Sequence, residues 1–268
     1  MSLRKTSINV LIALTMGYIA LFSHDHLFHR SGPNAPENTS TSAAGLVGDE
    51  PSYDVQIFSR DPLILHIRDF VSRAEINHLL KISEGTYEPS KVYPEGNHHI
   101  NRLSRVSESA VLPQDPIVRR IKKRAQRLQG WRGNDTVLER LKVQRYAVNG
   151  FYSWHYDWHG NLPEGDRVTT LLVYLVGNNC TGGGTNFPRL KRPEDPRWCQ
   201  IIECENDEYA GVTFKPIEGT AVFWENMHPN GSVHYDVLHA ALPVKSGQKV
   251  GLNIWGFDLG WKAPSVGR

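Results

Sequence analysis

Four residues in the C-terminal half of the chain combine a set of metal donors with a cation: His155 and Asp157 in the run Phe151-Tyr-Ser-Trp-His-Tyr-Asp-Trp158, then His239, then Lys249. Two imidazoles and one carboxylate hold an iron(II) ion on one face of an octahedron and leave the other face open for a bidentate co-substrate and dioxygen. Lys249 adds the positive charge that an acid needs in an apolar setting. The set predicts an oxygenase with Fe(2+) on His155, Asp157 and His239 that consumes 2-oxoglutarate. A His-x-Asp triplet by itself says little in a chain with 12 histidines, and His234-Tyr-Asp236 is a second copy. Context separates the two copies. Asp236 lies three residues before His239 in a Gly- and Asn-rich loop, whereas His155 and Asp157 follow one predicted strand and precede a long one. A period of two points both side chains to the same face.

The elements that must bring these residues together are strands. Leu141 to Tyr146, Val168 to Val176, Thr220 to Trp224 and Val250 to Phe257 are short, largely apolar segments separated by Gly, Pro and Asn, which predicts a sandwich or barrel over 141–258. Upstream, 53–140 is expected to be a helical support packed outside it. Pro62 to Ile67 alternates like a strand. Ser72-Arg-Ala-Glu75 is a capping box that opens a helix through Ile76, Leu79 and Leu80 to a stop at Gly85. Asp115-Pro116 starts a second helix, running to about Gly130, with Ile117, Ile121, Ala125 and Leu128 buried. Its other face carries Arg119, Arg120, Lys122, Lys123, Arg124 and Arg127, a run that predicts a solvated face, with an acidic partner or membrane headgroups as the alternative.

The 268 residues allow one large domain or two small ones, and a formal charge of +2 gives no support to a general polyanion or nucleic-acid binder. Residues 1–29 read as a leader. Arg4 and Lys5 precede the apolar run Ile8 to Phe22, which suits a cleaved secretory signal or an uncleaved signal anchor that would leave the rest lumenal, as in a type II membrane protein. His24, His26 and His29 read as its polar flank. Residues 30–52 are a stalk with almost no bulky apolar residue. Sequons at Asn38, Asn134, Asn179 and Asn230 add to the expectation of the secretory pathway, in the endoplasmic reticulum or Golgi lumen. Cys180, Cys199 and Cys204 match no zinc pattern and predict one disulfide with one thiol left over. Three pairings are open, and either pairing of Cys180 would close a loop across the segment between strands.

Seven blocks in order carry a resemblance: Tyr146 to Gly150, His155 to Asp157, Arg167 to Leu175, Gly182 to Pro188, Gly219 to Trp224, Leu238 to Val244, and Gly247 to Lys249, with Arg105 to Ser109 as an upstream block. Over roughly Ile64 to Asp258 the chain resembles the catalytic domain of the prolyl 4-hydroxylase alpha-subunit family. The resemblance implies a mainly β fold with flanking α, a double-stranded β-helix or jelly roll, with the N-terminal helices packed outside the barrel. It implies iron on His155, Asp157 and His239, Lys249 on the distal carboxylate of 2-oxoglutarate, and Tyr146 helping to hold that co-substrate. It also implies that Tyr152, Arg167 and Trp255 line a peptide groove, although Tyr152 and Trp255 equally suit ordinary barrel packing. O2 and L-ascorbate complete the expected requirements, with a proline-containing peptide or protein as substrate. The same chemistry on another residue or a small molecule is the alternative, and a non-catalytic binding barrel a third. Two features depart from the family pattern. Gly184 stands where a glutamate is usual, and the stretch from Cys180 to Val212 is insertion-like.

Overall fold

The computed structural model describes residues 51–92, 99–130, 133, 136–160, 164–205 and 208–262. The leader, most of the stalk, and the sequon asparagines Asn38 and Asn134 lie outside the described residues.

The chain opens with a hairpin of β1 (Asp54–Arg60) and β2 (Leu63–Arg68) and enters α1 (Arg73–Ser83). Short strands β3 (Glu88–Pro89), β4 (Arg105–Val106) and β5 (Glu108–Val111) lead to α2 (Pro116–Leu128). Strands then dominate: β6 (Thr136–Leu138), β7 (Lys142–Tyr146), β8 (Phe151–His155), β9 (Gly165–Val176), β10 (Thr181–Gly182) and β11 (Thr185–Phe187). After a 3-10 turn at Pro196–Gln200 come β12 (Val212–Phe214), β13 (Ala221–Glu225), β14 (His239–Ala241), β15 (Val244–Ser246) and β16 (Lys249–Leu259). The region expected as helical support therefore also supplies strands that extend the barrel.

Two antiparallel sheets face each other. The larger has the order β1-β2-β13-β9-β16-β7-β5-β3 with β6 joined to β16, and the smaller has the order β12-β11-β14-β8-β4. From β7 onward the chain alternates between them: β7 large, β8 small, β9 large, β11 and β12 small, β13 large, β14 small, β16 large. That alternation is the jelly roll.

The large sheet is covered on both faces, which is why its central strands read as continuous apolar runs rather than alternating ones. On β9, Leu171, Val173 and Leu175 pack outward with Phe223, Leu252 and Ile254 against Ile76 and Leu79 of α1 and Val118 and Ile121 of α2. Tyr174 and its neighbour Leu172 turn inward to Trp224, Phe187 and Phe214. The helices thus sit outside the barrel, and the site lies between the sheets.

Both helix starts follow their sequence signals. Ser72 Oγ accepts from Glu75 N and Glu75 accepts from Ser72 N, while Asp115 Oδ1 accepts from Val118 N. The basic run on α2 is largely solvated as expected, with Arg119, Lys123 and Arg127 exposed, but Arg124 departs from it. Arg124 is 1% exposed and forks onto Glu75 at 2.9 and 3.1 Å, with a further bond to Phe70 O at 2.8 Å; Arg120 donates to the same carboxylate at 3.1 Å. The reason is spacing. Positions 117, 121, 124 and 128 form one helical stripe, so Arg124 falls on the buried seam, and Glu75 across that seam supplies the countercharge. Burial alone would raise the Glu75 carboxyl, but Arg124, the Ser72 amide and Arg120 together hold it below its ordinary value.

The disulfide joins Cys199 to Cys204, with Cα atoms 5.5 Å apart, and Cys180 is the free thiol. The bridge closes a small loop inside the insertion-like stretch and does not span it. That stretch packs on the inner core through Ile201 and Ile202, and Trp198 lies edge-on to Phe58 of β1. Among the described residues no helix is long and apolar enough to cross a membrane.

Candidate active site

The small sheet sets the two imidazoles. His155 ends β8, His239 begins β14, and the two are direct partners across that antiparallel pair, with ring centroids 4.3 Å apart. Each Nδ1 meets a backbone carbonyl two residues back, His155 at Ser153 O (2.8 Å) and His239 at Val237 O (3.0 Å). A carbonyl only accepts, so each Nδ1 carries the proton and each Nε2 presents a lone pair.

Asp157 lies just beyond the end of β8, not within a strand as an unbroken period of two would have it. The bend still delivers its carboxylate to the imidazoles, with Oδ1 3.7 Å from His155 Nε2 and Oδ2 3.7 Å from His239 Nε2. The donor atoms of all three lie within 4.8 Å of one another. Burial opposes ionisation of Asp157, but His239, His155 and Arg167 outweigh it and hold the carboxyl well below the usual range. Burial, reinforced by the charge of His155, lowers His239 to about 4 and keeps it neutral at physiological pH. Two imidazole nitrogens and one carboxylate on one side of a cavity fit a divalent iron with open coordination positions.

Lys249 begins β16 directly opposite Tyr146 of β7. It is 2% exposed, donates to Thr185 Oγ1 at 3.3 Å, and stands 5.5 and 5.6 Å from the ring centres of Tyr146 and Tyr174. Among the described residues no carboxylate pairs with it, and burial lowers it to about 7. A buried cation without a counterion is costly, so the position favours an anionic ligand. Tyr146 OH donates to Gln144 and Tyr174 OH to Thr185, so the hydroxyls of both rings beside the ammonium are themselves hydrogen-bonded.

All eight residues singled out from the sequence line one cleft of about 1040 Å³ between the sheets. Tyr152 stacks on the His155 ring at 3.6 Å, beneath the Arg105 guanidinium. Arg167 forks onto Glu139 at 2.6 and 3.1 Å and lies 3.9 Å above the Trp255 ring. Tyr152 is thus a packing partner of His155, while Arg167 and Trp255 form a preset platform. The second His-x-Asp copy does not join this group: Tyr235 to Val237 form a 3-10 turn, and His234 clusters with Asp61 and His228.

Several residues of this site were not singled out beforehand. Thr170 donates to Asp157 Oδ2 at 2.8 Å and accepts from Asn226 Nδ2 at 3.1 Å. Thr185 meets Lys249, Glu139 fixes Arg167, and Arg105 covers Tyr152. The available signal was polarity on inward positions of apolar strands, as for Thr170 on β9. Gly184, the departure from the family pattern, also has a local cause: a Cβ there would lie 2.4 Å from Thr213 Cγ2.

This fold and donor set resemble those of the iron(II)- and 2-oxoglutarate-dependent oxygenases. A profile of the 2OG-Fe(II) oxygenase superfamily matches residues 141–257, the stretch that carries His155, Asp157, His239 and Lys249. Among curated proteins it is 31% identical over 210 residues to prolyl 4-hydroxylase subunit alpha-1 of Rattus norvegicus, and 28% identical over 215 residues to subunit alpha-3 of Bos taurus. These matches take in 74% and 76% of this chain but 35% of each relative, so the chain spans about a third of their length. Among solved structures it resembles the viral collagen prolyl hydroxylase of Paramecium Bursaria Chlorella virus-1 in its 2OG complex. There the identity is 26% and the TM-score 0.54, covering 73% of this chain and 96% of that one.

Proposed function

We propose that this chain hydroxylates peptidyl proline, using iron(II), 2-oxoglutarate and O2, in the secretory pathway. The observation that carries the co-substrate assignment is the buried, unpaired ammonium of Lys249 on the same cavity wall system as His155, Asp157 and His239. Lys249 would take the remote carboxylate of 2-oxoglutarate, ringed by the Tyr146 ring and Thr185. Bound iron, co-substrate and O2 together supply oxidative decarboxylation to succinate and CO2, the second oxygen atom entering a substrate C–H bond as hydroxyl. The protein's part is to hold the donors, exclude water and place that bond.

A peptide substrate is supported by the cleft's unmet hydrogen-bonding groups. Arg105 Nη2, Trp158 Nε1 and Trp255 Nε1 are buried donors with no partner among the described residues, and all three residues line the cleft. An extended chain offers backbone carbonyls to such donors, whereas leaving them empty costs free energy. The proline preference rests on likeness to the prolyl hydroxylases named above. The secretory placement is supported by the leader, by the Cys199–Cys204 bridge, and by the exposure of the sequon asparagines Asn179 and Asn230.

The test is conversion of 2-oxoglutarate to succinate by the purified chain with Fe(II) and ascorbate, with and without proline-rich peptides, beside His155→Ala. Peptide-stimulated turnover, lost in the variant and accompanied by a gain of one oxygen on proline, is the expected result. Stimulated turnover with the oxygen on another residue overturns the proline assignment. Equal inactivity of a folded, iron-loaded wild type and the variant overturns the enzyme reading. Omitting ascorbate is expected to shorten the period of activity.

A further inference from the structure

A second cluster of metal-type donors lies outside the cleft. Asp61, in the turn between β1 and β2, meets His228 and His234 from the loop between β13 and β14. Asp61 Oδ1 stands 3.8 Å from His228 Nδ1 and 3.9 Å from His234 Nδ1, almost the spread of the catalytic ligands, whose two carboxylate-to-imidazole distances are both 3.7 Å. The donor atoms of this cluster also fall within 4.8 Å of one another. Around a tetrahedral zinc with bonds of about 2.0–2.1 Å, ligands stand roughly 3.3–3.4 Å apart, so side-chain shifts of about half an ångström would complete the coordination.

Three further observations favour a cation here. The His228 and His234 rings lie with centroids 3.4 Å apart, too close for two imidazolium charges. The His234 side chain is only 5% exposed, yet among the described residues its ring makes no hydrogen bond, and Asp61 Oδ1 stands 3.9 Å from its Nδ1. Burial and the neighbouring His228 both lower His234, which leaves a neutral nitrogen lone pair. The loop itself is held by its backbone, His228 N donating to Ser232 O at 2.7 Å and His234 N to Asn226 O at 2.9 Å.

We propose that Asp61, His228 and His234 form a second metal site, for a late first-row divalent cation of the zinc type, with water completing the coordination. Two imidazoles and one carboxylate suit that class. Occupation would tie the β1–β2 turn to the loop that runs from Asn226 to the iron ligand His239, so the site is structural in role and independent of turnover.

The test is zinc uptake by the metal-stripped full chain, compared with His228→Gln and Asp61→Asn, both changes at solvent-accessible side chains. The difference between chains is the readout, since His24, His26 and His29 can also take up zinc. Loss of one equivalent in each variant is expected, with His155→Ala still showing that equivalent. Anomalous zinc scattering between Asp61 and His234 in crystals is expected as well. Unchanged uptake in both variants, with zinc scattering only at His155, Asp157 and His239, would overturn the proposal.

Discussion

Thr170 donates its hydroxyl to Asp157 Oδ2 at 2.8 Å, and the same hydroxyl accepts from Asn226 Nδ2 at 3.1 Å. The carboxylate is thereby oriented by a neutral pair from β9 and the residue following β13, with Oδ1 toward His155 and Oδ2 toward His239. Removing such a contact typically weakens metal binding by about 10- to 100-fold. Thr170→Val preserves shape and is expected to raise the dissociation constant for Fe(II), or for Mn(II) as a redox-stable probe, within that range. Calorimetric titration measures it, and an unchanged constant would show that Thr170 is only a core residue.

Lys249→Met removes the buried ammonium at similar volume. A hydrogen bond to a charged group contributes about 1.5–3 kcal/mol, so the KM for 2-oxoglutarate is expected to rise roughly 10- to 150-fold. The pH dependence follows from the direction of the shift. Burial places the free ammonium at about 7, against 10.5 in the unfolded chain. A carboxylate selects the protonated form, so the wild-type KM should climb by about tenfold per pH unit above 7, with a proton taken up on binding. Stability without co-substrate moves the other way. Between about 7 and 10.5 the unfolded chain holds a proton that the folded chain lacks, so stability rises with pH. Co-substrate kinetics and denaturant titrations across that window check both slopes, which Lys249→Met should flatten.

Trp255→Phe keeps an aromatic ring beneath Arg167 while deleting the unpartnered indole N–H. If that donor meets a substrate carbonyl, the KM for a proline peptide rises roughly 2- to 12-fold, the equivalent of about 0.5–1.5 kcal/mol. The KM for 2-oxoglutarate should stay as it was. Equal changes in both constants would mean that the substitution disturbs the barrel and not the peptide groove.

Gly184→Ala places a methyl 2.4 Å from Thr213 Cγ2. Overpacking of this kind costs about 1–3 kcal/mol, so thermal unfolding should come several degrees earlier. Thr213→Ser deletes the clashing methyl but retains the hydroxyl that accepts from Asn186 at 3.0 Å. The double variant should recover most of the loss. Failure to recover would place the strain in the backbone at Phe214 O, 3.1 Å away.

Arg124→Met leaves the Glu75 carboxylate in the seam between α1 and α2 with only Arg120 and the Ser72 amide, and since breaking a buried pair from one side costs about 3–5 kcal/mol, a loss up to that range is expected. Glu75 ionises below its ordinary value of 4.5, so the pair's stabilisation is complete above that pH and is lost as pH falls through the folded-state value. Urea unfolding of wild type and variant should therefore differ most at neutral pH and converge in acid. A constant difference at every pH would assign the effect to packing.

Helix starts, several barrel strands and the His155–Asp157 pair were legible because each depends on local spacing. Ser72 and Glu75 cap α1 through neighbouring amides, Pro116 suits a first turn, and the inward side chains of β9 follow from a period of two. The remote ligand His239 and Lys249 were reached through the order of blocks along the chain, since no local pattern links them to His155. What only the tertiary structure decided depends on elements far apart in sequence. Arg124 is buried because Glu75 lies across the seam, and Cys199 pairs with Cys204 within a stretch that packs on the inner core through Ile201 and Ile202. Asp157 leaves its strand yet still meets both imidazoles, and it is Thr170 and Asn226, from separate parts of the large sheet, that aim it. Local propensity acts over a few residues, whereas charge compensation and carboxylate aim are properties of neighbours that closure of the barrel alone creates.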